Sequence, residues 1–105
     1  MNSTSSATSS QITLYLSRQQ SLSSPTKMIL AKLFMDGKID ENELIQRSLW
    51  AKNILTNADP KYTSLLPETR VVMVNLCLKG VLNQNEPLEV LARTVSKLFP
   101  NLDQN

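Results

Sequence analysis

Histidine is absent from this chain of 105 residues, and cysteine occurs once, at Cys77. The first absence removes His-based general acid–base catalysis, Ser-His and Cys-His nucleophiles, and most zinc sites. A single cysteine allows no intrachain disulfide and suits a reducing compartment, so a cytoplasmic or nuclear setting is expected. Because Cys77 lies in the apolar stretch 71–78, it reads as an inert core thiol. No apolar run approaches the ~20 residues that a membrane span needs. Charge is scarce too: 11 Lys and Arg face 9 Asp and Glu, a net charge of +2. That is too mild for binding nucleic acid by bulk electrostatics. Glycine occurs twice and proline five times, so each works as punctuation.

Acidic residues are missing before Asp36, and Arg18 is the only basic one before Lys27. Residues 1–10 hold seven Ser or Thr and no charge. Such a segment buries too little surface to offset its ordering entropy, which predicts a flexible tail over residues 1–23. The competing reading, a Ser-rich transit peptide, wants more than one arginine. Within the tail, Ile12, Leu14 and Leu16 alternate with Thr13 and Tyr15, a short strand signal. A lone strand has no partner, so an extended segment across a helical core, or a first helical turn, is expected there.

From Ser24 the signals are helical, and the helical domain is placed at residues 24–105. Ser24 then Pro25 reads as an N-cap followed by proline in the first turn; Met28, Ile29, Leu33 and Phe34 follow, and Gly37 stops the helix. Asp40 and Glu43 have capping-box spacing and open a helix to about Asn57. Its apolar side is read from Leu44, Ile45, Leu49 and Leu55, widened by Trp50, Ala51 and Ile54. Asp59-Pro60 opens a short turn. Pro67 and Gly80 bracket a segment that is apolar nearly all round, expected to be the central helix, with a buried strand as the alternative for 71–78. Glu86-Pro87 opens a last helix that Pro100 ends. These signals predict an all-α bundle of four main helices and one short one. Its expected core is Ile29, Leu33, Ile45, Leu49, Ile54, Val72, Leu76, Leu91, Val95 and Leu98.

Few residues point to chemistry. The stretch around Gly37 has the outline of a calcium loop, but that register puts Lys32 and Phe34 at the first two ligand positions, where neither can coordinate. Asp36, Asp40, Glu41 and Glu43 sit at helix ends without a phosphate loop, so solvated capping explains them. Neither catalysis nor a cofactor nor a metal is expected. The candidate contact residues are Lys38, Arg47, Trp50, Lys52, Lys61 and Tyr62. Trp and Arg are enriched at binding hot spots, whereas a partly buried core tryptophan and solvated lysines account for the same residues structurally. Lys27, Lys32 and Arg70 extend the basic set, which would suit a negatively charged or RNA-associated protein if all lined one face.

Asp36-Gly37, Lys38-Ile39, Glu43, Ile45, Leu49, Lys52, Ala58 and Lys61-Tyr62 together make residues 36–65 similar to the C-terminal nucleocapsid-binding domain of rhabdovirus phosphoproteins. Capping and amphipathic periodicity generate several of these matches; the Lys61-Tyr62 pair is not supplied by such rules. The resemblance covers less than a third of the chain. It implies a helical module whose basic and aromatic surface residues engage a nucleoprotein–RNA template and bring a viral polymerase to it. It also implies a C-terminal piece of a longer protein, in a host cell, with no sequence-specific nucleic-acid contact and no membrane. Residues 66–105 depart from it by adding two strong helices that shorter members lack. The Asp36–Ile39 hairpin with its preceding helix is also similar to the helical peptide-docking domain of transcription coregulators. That likeness implies an apolar groove holding an amphipathic partner helix.

Overall fold

A computed structural model describes residues 8–102. Among them the chain is all-helical: α1 (Ser9–Ser17), α2 (Ser24–Met35), α3 (Glu41–Leu55), a 3-10 turn (Pro60–Tyr62), α4 (Pro67–Leu78) and α5 (Leu88–Leu98). No described helix is long and apolar enough to cross a membrane.

Residues 8–17 correct the expected tail. Thr8 and Gln11 close a capping box, the Gln11 amide N–H donating to Thr8 Oγ1 at 3.1 Å and the Thr8 N–H to Gln11 Oε1 at 2.9 Å. The helix they open buries Ile12 and Leu16, so of the two conformations expected for this alternating stretch the helical one is present. Residues 1–7, also assigned to the tail, lie outside the described residues. The α2 cap is one residue earlier than expected: Ser23 Oγ accepts from the Thr26 amide, and Ser24 and Pro25 form the first turn. Asp40 and Glu43 cap α3 as their spacing predicts.

Three helices close by one backbone device. In α2, α3 and α4 the residue after the C-cap (Gly37, Asn57 and Gly80) has φ of 74°, 63° and 82°. The next amide reaches back five residues in each: Lys38 to Leu33 O, Ala58 to Asn53 O, and Val81 to Leu76 O. This Schellman closure satisfies carbonyls the helix end would leave open.

α4 is central, packing against α2, α3 and α5, while α2 also holds α1 and α3. Met73, Val74, Leu76, Cys77 and Leu78 on α4 are all buried. Leu30, Leu44, Ala51, Ile54, Tyr62, Leu91 and Val95 join them in the core, with Ile29, Leu33 and Val72 packed partly buried against it. Three expected core residues are out of place: Ile45 is 37% exposed, Leu49 50% and Leu98 50%. In α3 the buried face runs through Leu44, Ser48, Ala51 and Ile54. Ser48 hides this face from hydropathy, but its hydroxyl donates to Leu44 O at 2.7 Å, so a small, satisfied side chain sits inside. Leu98 lies in the last turn of α5, in line with the buried Leu91 and Val95. Periodicity fixes a face and not how far along the helix its neighbour reaches.

Arg70 leaves the expected basic face altogether. It is 8% exposed, its Nη1 donates to Leu65 O at 2.6 Å, and its Nε has no partner among the described residues.

Candidate functional site

The six candidate contact residues separate into four groups. Lys61 and Tyr62 form one unit, with Lys61 exposed and Tyr62 inside. Tyr62 is 2% exposed and belongs to the core, which corrects its assignment as a surface contact. Lys61 Nζ donates to Gln84 O at 3.2 Å and Glu86 O at 3.0 Å, and lies 5.2 Å from the centroid of the Tyr62 ring. An ammonium engaged by two carbonyls and a ring face ties the 3-10 turn to the α4–α5 connection. Its charge also reaches Cys77. Burial pushes that thiol up from an ordinary 9.0 to about 11, against a smaller lowering by Lys61. The thiol therefore stays protonated and unreactive at neutral pH, as expected of a core cysteine.

Arg47 and Trp50 stay together. With Glu43, Gln46 and Gln84 they line an open hollow of ≈ 290 Å³ on α3 and the α4–α5 connection. Both are half-buried, and Trp50 rests against the core. Arg47 makes no ion pair among the described residues, although Glu43, one turn earlier, lines the same hollow with one oxygen engaged by the Asp40 amide. Lys52 is exposed and elsewhere. Two residues beyond Trp50, it is rotated about 200° around α3. It shares a face with the exposed Ile45 and Leu49.

Lys38 belongs to a second hollow, of ≈ 300 Å³, lined by Ile29, Lys32, Leu33, Asp36, Lys38 and Lys79. The local sequence builds it directly. The Schellman turn at Gly37 brings the Lys38 amide 2.9 Å from Leu33 O, setting Lys38 beside the half-buried Leu33. Lys79 arrives from the other side as the C-cap of α4. Lys32 and Asp36 pair at 3.2 Å, one turn apart and well exposed, an interaction worth about 0.3–0.5 kcal/mol. Three lysines and one aspartate leave two net positive charges on this rim. The C-terminal ends of α2 and α4 contribute about −0.5 each, so the sign stays positive. The hollow thus has an aliphatic floor and a cationic edge. Sequence reading had placed Ile29 and Leu33 in the core and passed over Lys79; the signal available was Lys79 beside the helix stop at Gly80.

A third hollow, of ≈ 240 Å³, lies between α1 and α2, lined by Thr13, Leu16, Ser17, Lys27, Met28 and Ala31.

No protein family, curated protein or solved structure matches this chain.

Proposed function

We propose that this chain is a non-catalytic docking module for a protein partner, and that the α2–α4 hollow receives an acidic amphipathic segment. The observation that carries this reading is the aliphatic floor of Ile29 and Leu33 inside the rim of Lys32, Lys38 and Lys79. Apolar surface of this kind gains from being covered, and the lysines select for flanking carboxylates. Completing the burial of two half-buried aliphatic side chains yields roughly 2–3 kcal/mol. Micromolar binding needs about 8 kcal/mol, so steering charges and further contacts must contribute. The single, buried and unpaired cysteine fits a reducing cytoplasmic or nuclear setting.

Selection of a random 16-residue peptide library on the described domain tests this. The expected result is enrichment of peptides with apolar residues at helical spacing among Asp and Glu. Their binding should weaken with salt and with Lys38→Glu/Lys79→Glu. Enrichment of basic peptides, or none, would overturn the reading.

A second reading, that the partner is a nucleoprotein bound to RNA, is favoured by Arg47 and Trp50 sharing one hollow. It loses Tyr62 as a contact and keeps Lys38, Arg47, Trp50, Lys52 and the exposed Lys61. Calorimetry with rhabdovirus nucleoprotein–RNA complex, against free RNA, distinguishes it: salt-sensitive binding to the complex alone is the expected outcome under this reading.

A further inference from the structure

The two hollows border the same pair of connections. Lys79 lines one and Gln84 the other, both in the α4–α5 connection; Lys38 lines one and Glu43 the other, across the α2–α3 connection. Five residues separate each pair, so each pair of backbone positions is at most about 17 Å apart. That span is covered by about 11 residues of helix or about 5 of extended chain.

From this juxtaposition we infer that the partner segment is bipartite, with an apolar anchor at Ile29 and Leu33 and a second element at Trp50 and Arg47. The inference rests on the docking function proposed above and adds where the partner goes next and what it carries. The second hollow differs in chemistry from the first. Arg47 presents a guanidinium without a carboxylate partner among the described residues, a fork suited to one carboxylate. Trp50 offers an indole face for a flat apolar group, and Gln46 and Gln84 offer side-chain amides at the edge. Glu43 stands in the same hollow, with Oε1 taken by the Asp40 amide at 3.0 Å. Its charge admits a single carboxylate and opposes a run of them. The second element is therefore an aromatic side chain next to one acidic residue, on the same segment as the aliphatic anchor.

Trp50 is the only tryptophan in the chain, so its emission reports on the second hollow without any substitution. The tightest peptide from the 16-residue library is the probe. Titrating it into the wild-type domain should shift Trp50 emission in step with binding measured by calorimetry. Arg47→Glu should weaken that peptide at least tenfold while leaving the helical circular dichroism unchanged. Lys38→Glu/Lys79→Glu should weaken it as well. Binding that leaves Trp50 emission unmoved and is indifferent to Arg47→Glu would overturn the bipartite inference and leave single-hollow docking standing. Failure of the library to yield any peptide would remove both. If Arg47→Glu fails to fold, the wild-type emission titration decides alone.

Discussion

Thr26 Oγ1 donates to Asn75 Oδ1 at 2.6 Å, joining the first turn of α2 to α4 across 49 residues of chain. Thr26 is fully buried, and its hydroxyl has one proton. With that proton on Asn75, the 2.7 Å contact to Ser23 Oγ must run from the serine hydroxyl to the threonine. The α2 cap and the α2–α4 contact are thus one network.

Thr26→Val keeps the shape and removes the hydroxyl from this network. The expected loss is about 1 kcal/mol, because the half-buried acceptor on Asn75 and the Ser23 hydroxyl lose their partner. Urea unfolding of Thr26→Val, Asn75→Leu and the double variant checks it. The double should be less destabilised than the sum of the singles, with a coupling of about 1 kcal/mol.

The Schellman turns predict opposite signs at three equivalent positions. Gly37→Ala and Gly80→Ala meet no neighbouring atom within 4 Å. Their cost is therefore purely conformational, about 1–2 kcal/mol each for a Cβ in the left-handed region. Asn57→Gly relieves the same strain and should be neutral or stabilising. Thermal unfolding of the three variants gives the comparison.

How much of this was legible beforehand varies by residue. Gly37, Gly80, Pro67 and the Asp40–Glu43 box each carried a local signal strong enough to place a helix end. The Thr8–Gln11 box had the same spacing and was passed over, because the surrounding Ser and Thr made composition the louder signal. Ser48 shows the other limit. A buried serine bonded to its own helix leaves no mark in hydropathy, and the apolar side read from Leu44, Ile45, Leu49, Leu55, Trp50, Ala51 and Ile54 is too wide to exclude Ile45 and Leu49 from the core. Of the candidate site, Arg47 and Trp50 were legible as a pair on one helix. Lys38 with Lys79, by contrast, is a meeting of residues 41 positions apart that only packing creates. Lys61-Tyr62 stood out only through the family resemblance, and packing puts the Tyr62 ring in the core.

Loss of Lys61 should disturb the α4–α5 connection more than the fold. Lys61→Met removes two charge-assisted bonds to exposed carbonyls, for an expected loss of about 1 kcal/mol. Amide exchange around Gln84 and Glu86 should accelerate. Tyr62→Ala, by contrast, empties a core position and should cost about 3–5 kcal/mol. Calorimetric melting separates the two, and a binding defect in Tyr62→Ala should track its loss of fold.

Cys77 sets a pH dependence with a definite sign. The unfolded thiol ionises near 9.0, whereas burial holds the folded one neutral to about 11. Below 9 both states carry the proton and the contribution is fully present. As pH rises from 9 to 11 the unfolded chain alone releases it, so stability falls. Cys77→Val should lose less stability than wild type over that window in urea titrations. Native Cys77 should react with a thiol reagent at neutral pH far more slowly than the unfolded chain.

α1 takes its main packing from α2, whereas α4 is shared by three helices. Protection against solvent exchange should be graded in the same order. Ile12 and Leu16 hold α1 in place with two buried side chains, and releasing them leaves every contact of α4 with α2, α3 and α5 intact. Detachment of α1 as a unit is therefore expected to be a sub-global opening well below the free energy of complete unfolding. That motion dissolves the hollow at Thr13, Leu16 and Met28 while the one at Ile29 and Leu33 keeps its walls, so the two faces of α2 differ in how permanent a surface they present.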